Sequence, residues 1–126
     1  MTRSECPFCS IVATEAFDQS NDLAVAFRDK YPVSPGHTLA IPRRHEPDYF
    51  SLRREEQLAM HDLLLEAAED LKLEADAFNL GLNSGPAAGQ TVPHAHLHLI
   101  PRVDGDVPDP RGGIRWVVPD RAKYWN

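Results

Sequence analysis

Apolar residues recur along this chain with two different periods. Between Arg54 and Ala75, Met60, Leu64, Ala67, Ala68, Leu71 and Ala75 come back every three or four positions, which gathers them on one face of a long helix. Ser51 is a candidate start signal, but Arg54 stands where a capping box wants Glu or Gln. A short helical turn is expected over 48–52. Elsewhere the apolar runs are short and bounded by proline and glycine, as strands are. Leu23-Ala24-Val25-Ala26-Phe27-Arg28-Asp29 and His37-Thr38-Leu39-Ala40-Ile41-Pro42 flank the turn-rich Tyr31-Pro32-Val33-Ser34-Pro35-Gly36, which predicts an antiparallel pair. Phe78 to Asn83 reads as a third strand, Ser84 to Gly89 as a tight glycine-rich loop, and His94 to Arg102 as a fourth strand. The tail, 103–126, reads as extended or irregular, with Ile114 to Val118 as a candidate extra strand and Trp116, Tyr124 and Trp125 as tethers. The order is α+β with mostly antiparallel pairing. Neither a repeat nor a linker divides 1–126, so one domain is expected.

The fourth strand carries the most informative pattern. His94, His96 and His98 alternate with Ala95, Leu97 and Leu99. On a strand this puts the imidazoles on one face and the apolar residues on the other. Half of the six histidines lie in these five positions. Packing has no need of such a cluster. Imidazole is a nucleophile, general base or metal ligand near neutral pH.

Composition narrows the partners. The 126 residues are 42% hydrophobic and 25% charged, with a net charge of -6, so a long nucleic acid is repelled overall and no nucleic-acid motif is present. A small anionic substrate still fits a locally positive pocket. The N-terminus lacks the apolar region of a signal peptide, and no apolar run approaches the ~20 residues needed to cross a bilayer; cytoplasm is the default expectation. Cys6 and Cys9, in Cys-Pro-Phe-Cys, admit three readings. They are half of a metal site, two incidental buried cysteines, or a redox pair, which would follow a strand that five preceding residues do not supply.

The segment His94 to Ile100 closely resembles the signature of the histidine triad (HIT) family, in which three histidines alternate with apolar residues. Upstream Ala88-Gly89-Gln90-Thr91-Val92 and downstream Pro101-Arg102 are similar to the family's hydrolase branches. The resemblance implies a five-stranded antiparallel sheet with one long and one short helix, paired into a homodimer. It implies a small-molecule nucleotide substrate cut at the α-phosphate, with His96 as nucleophile and a nucleotidyl-histidine intermediate. His98, Gln90 and Thr91 would then hold the phosphate, with Gly89 allowing close backbone approach, and His37 would be a proton relay or an orienting hydrogen bond. Asn83 would contact the sugar-phosphate part, Asp29 the ribose hydroxyls, and Phe8, Ile11 and Phe27 the base, although core packing explains those three apolar residues almost as well. Some family members hold a structural zinc; the matching residues here are Cys6, Cys9, His45 and His94, with residues 1–10 as the zinc-binding arm. The favoured substrate is a dinucleoside polyphosphate. A nucleoside phosphoramidate, nucleotidyl transfer, and a nucleotide-sensing module are the rivals.

Overall fold

The computed structural model describes residues 2–126. Two α-helices, α1 (Pro7–Ala13) and α2 (Arg54–Leu71), flank a sheet of β1 (Gln19–Ser20), β2 (Ala24–Arg28), β3 (Thr38–Pro42), β4 (Ala77–Leu82) and β5 (Leu97–Arg102). The strand order is β1-β2-β3-β5-β4, antiparallel throughout.

Alternation decides what each face of the sheet covers. Ala24 and Ala26 of β2, Ala40 of β3 and Leu97 and Leu99 of β5 point to α2, where Met60, Leu63, Leu64, Ala67 and Leu71 close the larger core. Val25, Phe27, Leu39 and Ile41 point the other way and pack with Cys6 and Phe8, with Ile11 and Val12 of α1 against them. Both faces of β2 and β3 are therefore covered, and these strands read as continuous apolar runs. At β5 the α2 side is filled by Leu97 and Leu99, and the opposite side carries His98, Ile100 and Arg102.

Four sequence expectations need correction. The long helix stops at Leu71, not Ala75. Leu71 is the last side chain to reach the core, and Leu73 is 93% exposed. Its start is not set by Ser51, which sits in a 3-10 turn (Tyr49–Ser51) whose Phe50 N–H is accepted by Asp48. Glu56 takes that role: its carboxylate accepts the Arg53 N–H at 2.9 Å. The fifth strand is β1, while Ile114 to Val117 lies in a 3-10 turn (Gly113–Val117) that Val118 ends, because Gly112 and Gly113 adopt φ of 91° and 42° and turn the chain away. β1 has two residues and no apolar run, so nothing in its sequence announces it. The N-terminal arm is partly helical. Cys6 caps α1, with Pro7 at its first position, and this is the expected short helix. The tail is likewise folded on itself: Arg115 donates to the carbonyls of Ala122 and Arg121, both at 2.8 Å.

Glu56 is 1% exposed, yet it is charged. Arg44 donates to both of its oxygens, at 3.1 and 2.9 Å, and holds the carboxyl below its usual range. Arg44→Met removes the main partner while leaving the buried charge. The expected cost is about 3 kcal/mol, read as a lower urea midpoint with an unchanged slope. A change under ~0.5 kcal/mol would show that Arg53 and water suffice.

Candidate active site and metal centre

The triad strand begins later than its alternation suggests. His94, Ala95 and His96 precede β5 as an irregular extended segment, and only His98 is within the strand. Ala95 is tied to the segment after β3 by its N–H to the Glu46 carbonyl at 2.7 Å. The break separates the histidines. His94 turns toward the N-terminal cysteines, while His96 and His98 stay together with ring centroids 5.1 Å apart.

His96 is buried, 6% exposed, and its Nδ1 lies 2.8 Å from the His94 carbonyl. A carbonyl only accepts, so Nδ1 carries the proton and Nε2 keeps a free lone pair. Burial lowers the pKa of His96, which favours the neutral ring. Phe8 meets this ring edge-on at 5.1 Å and meets Phe27 at 5.5 Å. α1 thus fixes the imidazole through an aromatic stack. The result is an oriented ring nitrogen with a free lone pair, beside the Phe8 ring, of the kind that can act as a nucleophile.

His98 is pushed down to about 4, first by burial and then by its His96 and His37 neighbours. Its Nδ1 lies 2.9 Å from His37 Nε2. His37, 2% exposed, immediately precedes β3 and is also lowered by burial, against the pull of Asp29. The Asp29 carboxylate lies 3.5 Å from His37 Nε2, and its other oxygen accepts the Tyr31 N–H. The fold therefore joins His37, Asp29, His96 and His98 into one cluster.

The other candidates lie on α1, β2 and the segments that follow β4. Phe8 is buried against His96 and Phe27 against Phe8, and Ile11 packs on the same apolar group. Asn83, half-buried, follows the end of β4. Gly89 and Thr91 are exposed on the loop leading to the triad, and Gly89 has φ 95°, a conformation that suits glycine. The Gln90 amide is turned to backbone here. It donates to the carbonyls of Pro47 and Val92 at 2.8 and 3.1 Å and accepts the Gly85 N–H at 2.7 Å. It braces the loop, which composition alone does not show.

The second cluster is Cys6, Cys9, His45 and His94, all of whose ligand atoms lie within 4.8 Å of one another. His94 Nε2 donates to the Pro42 carbonyl at 2.8 Å, so its Nδ1 lone pair faces the cysteines. His94 Nδ1 lies 3.5 Å from Cys6 Sγ, 3.6 Å from Cys9 Sγ and 3.3 Å from His45 Nδ1; His45 Nδ1 is 3.2 Å from Cys9 Sγ. A tetrahedral zinc with its usual bond lengths spaces two nitrogens by about 3.3 Å and a nitrogen and a sulfur by about 3.5 Å. Burial and the adjacent Cys6 raise the Cys9 thiol; a divalent cation between the sulfurs reverses that preference. These four residues can hold a metal ion, and a two-thiolate, two-imidazole set leaves no open position. Unlike a redox motif, the Cys-Pro-Phe-Cys turn follows no strand, although it does open a helix.

Comparison with known proteins places this architecture. The HIT domain model matches residues 12–105. An uncharacterised HIT-like protein of Mycoplasma genitalium is 40% identical over 108 residues, covering 82% of this chain and 77% of its own. The bis(5'-nucleosyl)-tetraphosphatase (asymmetrical) of Schizosaccharomyces pombe is 37% identical over 86 residues, covering 67% of this chain and 47% of its own. A crystal structure of a zinc-bound histidine triad family protein from Mycobacterium smegmatis superposes with a TM-score of 0.75 at 33% identity, over 86% of each chain. The fold, the triad and the sequence similarity agree: the chain belongs to the HIT domain family of nucleotide-hydrolysing and nucleotide-binding proteins.

Proposed function

We propose that this protein hydrolyses a nucleotidyl compound at its α-phosphate, with a dinucleoside polyphosphate as the favoured substrate. The observation that carries this reading is the Nε2 of His96, left free and aimed by the bond from its Nδ1–H to the His94 carbonyl, while burial favours the neutral ring. Nε2 attacks the α-phosphorus, the bond to the leaving group breaks, and a nucleotidyl-histidine forms. Water then attacks the same phosphorus, releasing a nucleoside monophosphate and restoring His96. Splitting one displacement into two lowers each barrier. His98 donates to a phosphoryl oxygen as charge grows there. Thr91 and the Gly89 backbone line the approach to the phosphate, and Gln90 keeps that loop in shape. Asp29 accepts from the ribose hydroxyls and Asn83 contacts the sugar-phosphate part; Phe8, Ile11 and Phe27 enclose the base. Zinc, held by Cys6, Cys9, His45 and His94, supplies structure and no reacting position. The working form is a homodimer, consistent with the apolar side chains that α2 and the tail leave exposed, Leu65 at 58% and Ile114 at 62% among them.

A nucleoside phosphoramidate would use the same nucleophile, so the test compares substrates directly. Purified protein is incubated with diadenosine tetraphosphate and, separately, adenosine phosphoramidate, and AMP is followed. A higher kcat/KM on the tetraphosphate is the expected result. Preference for the phosphoramidate would move the assignment to P–N cleavage. Turnover of neither would leave transfer to another acceptor, or nucleotide sensing.

A further inference from the structure

Asp29, His37 and His98 have the composition of a small metal site, and their ligand atoms lie within 4.8 Å of one another. One hydrogen bond argues against that use. The backbone N–H of Val33 donates to His37 Nδ1 at 3.0 Å. An amide N–H can only donate, so His37 Nδ1 is the bare nitrogen and Nε2 carries the proton. A protonated Nε2 cannot bind a metal. It can donate, and two acceptors stand before it: His98 Nδ1 at 2.9 Å and the Asp29 carboxylate at 3.5 Å. Since His98 Nδ1 accepts, the ring proton of His98 is on Nε2. That atom is buried and has no partner among the described residues. A buried N–H without a partner is costly, and sites that keep one usually hold it for a ligand.

We infer that the backbone amide of Val33 sets the tautomer of His98, through His37, and thereby makes His98 a fixed Nε2–H donor toward the substrate phosphoryl group. Val33 and His37 are positioning residues in this reading, and Asp29 reinforces the protonated state of His37 Nε2. His96 is fixed in the opposite sense by the His94 carbonyl. Two neighbouring imidazoles that could each carry a proton on either nitrogen are thus made different: His96 presents a lone pair and His98 a proton. The first suits a nucleophile and the second suits stabilisation of a developing oxyanion. The catalytic part of this inference rests on the hydrolase reading; the tautomers do not.

The test separates the two. Long-range proton–nitrogen NMR spectra of the metal-loaded protein, with histidines labelled, report which ring nitrogen carries each proton. The expected pattern is Nε2–H for His37 and His98 and Nδ1–H for His96. Nδ1–H on His98 would overturn the inference outright, with no variant needed. Val33→Pro then removes the amide proton at a side chain that is 73% exposed. Its expected effects are loss of the Nε2–H pattern at His98 and a fall in kcat of about 10²-fold, with KM nearly unchanged. A folded Val33→Pro protein with unaltered tautomers and kcat would also overturn it. Wild-type protein that shows the expected tautomers but releases no AMP from either substrate would instead defeat the hydrolase reading.

Discussion

His96→Ala should lower kcat for AMP release by about 10⁴-fold or more, with the fold and the metal content retained. Loss of one donor that only stabilises charge costs about 10²–10³-fold. Loss of a nucleophile costs more, because the whole two-step path goes with it. The variant must be read beside a size-preserving one. The His96 ring packs edge-on against Phe8, so alanine also leaves a gap next to α1 and costs about 1–3 kcal/mol of stability. His96→Asn fills more of that space and keeps a donor for the His94 carbonyl, but offers no nucleophilic nitrogen. Both variants should be equally inactive. Rapid acid-free quenching of the wild type should trap one nucleotide covalently per chain, and neither variant should trap any. Residual turnover within tenfold of wild type in both would end the covalent reading and favour direct attack by water.

Cys6→Ala should lose the metal and, with it, about 3 kcal/mol or more of stability, on the order of 10 °C in Tm. The size of the effect follows from what the four ligands join. α1 has only seven residues, too few to hold together alone. His45 follows β3 and His94 precedes β5, so the cluster clips three separated segments at one point. Without it α1 loses its anchor, and Phe8 is no longer pinned over His96 and Phe27. Elemental analysis should find one zinc per wild-type chain and per His96→Ala chain, and none in Cys6→Ala. A strong chelator should give the wild type the melting temperature of Cys6→Ala. Equal metal in Cys6→Ala and wild type would show that the ion is held elsewhere or not at all.

Much of this was legible in the chain because it follows from local pattern. The α2 face, the β2–β3 pair, β4, and the inward-facing Leu97 and Leu99 of β5 are consequences of periods of 3.6 and 2, whereas the alternation placed His94 and His96 in a strand that begins only at Leu97. The triad and the Cys6–Cys9 pair were visible as side-chain chemistry at fixed spacing, whereas grouping those cysteines with His45 and His94 was implied only by the family resemblance, and the fold brings the four together. The short elements were not. β1 has two residues, and its existence depends on the edge that β2 offers. Ser51 looked like the helix start, but the cap came from Glu56, whose buried charge is tolerable only because Arg44 reaches it from the segment after β3.

Within the site the division is sharper. By itself the sequence determined which residues can do chemistry here and, through alternation, which side of the sheet they occupy. It could not determine what each histidine presents. That was decided by backbone groups brought from elsewhere: the Pro42 carbonyl at His94, the His94 carbonyl at His96, and the Val33 amide acting through His37 at His98. Every residue but proline carries the same N–H and C=O, so these partners leave no trace in residue identity. Only the folded chain fixes where they point, and the direction of one hydrogen bond is what turns an imidazole into a ligand, a nucleophile or a donor.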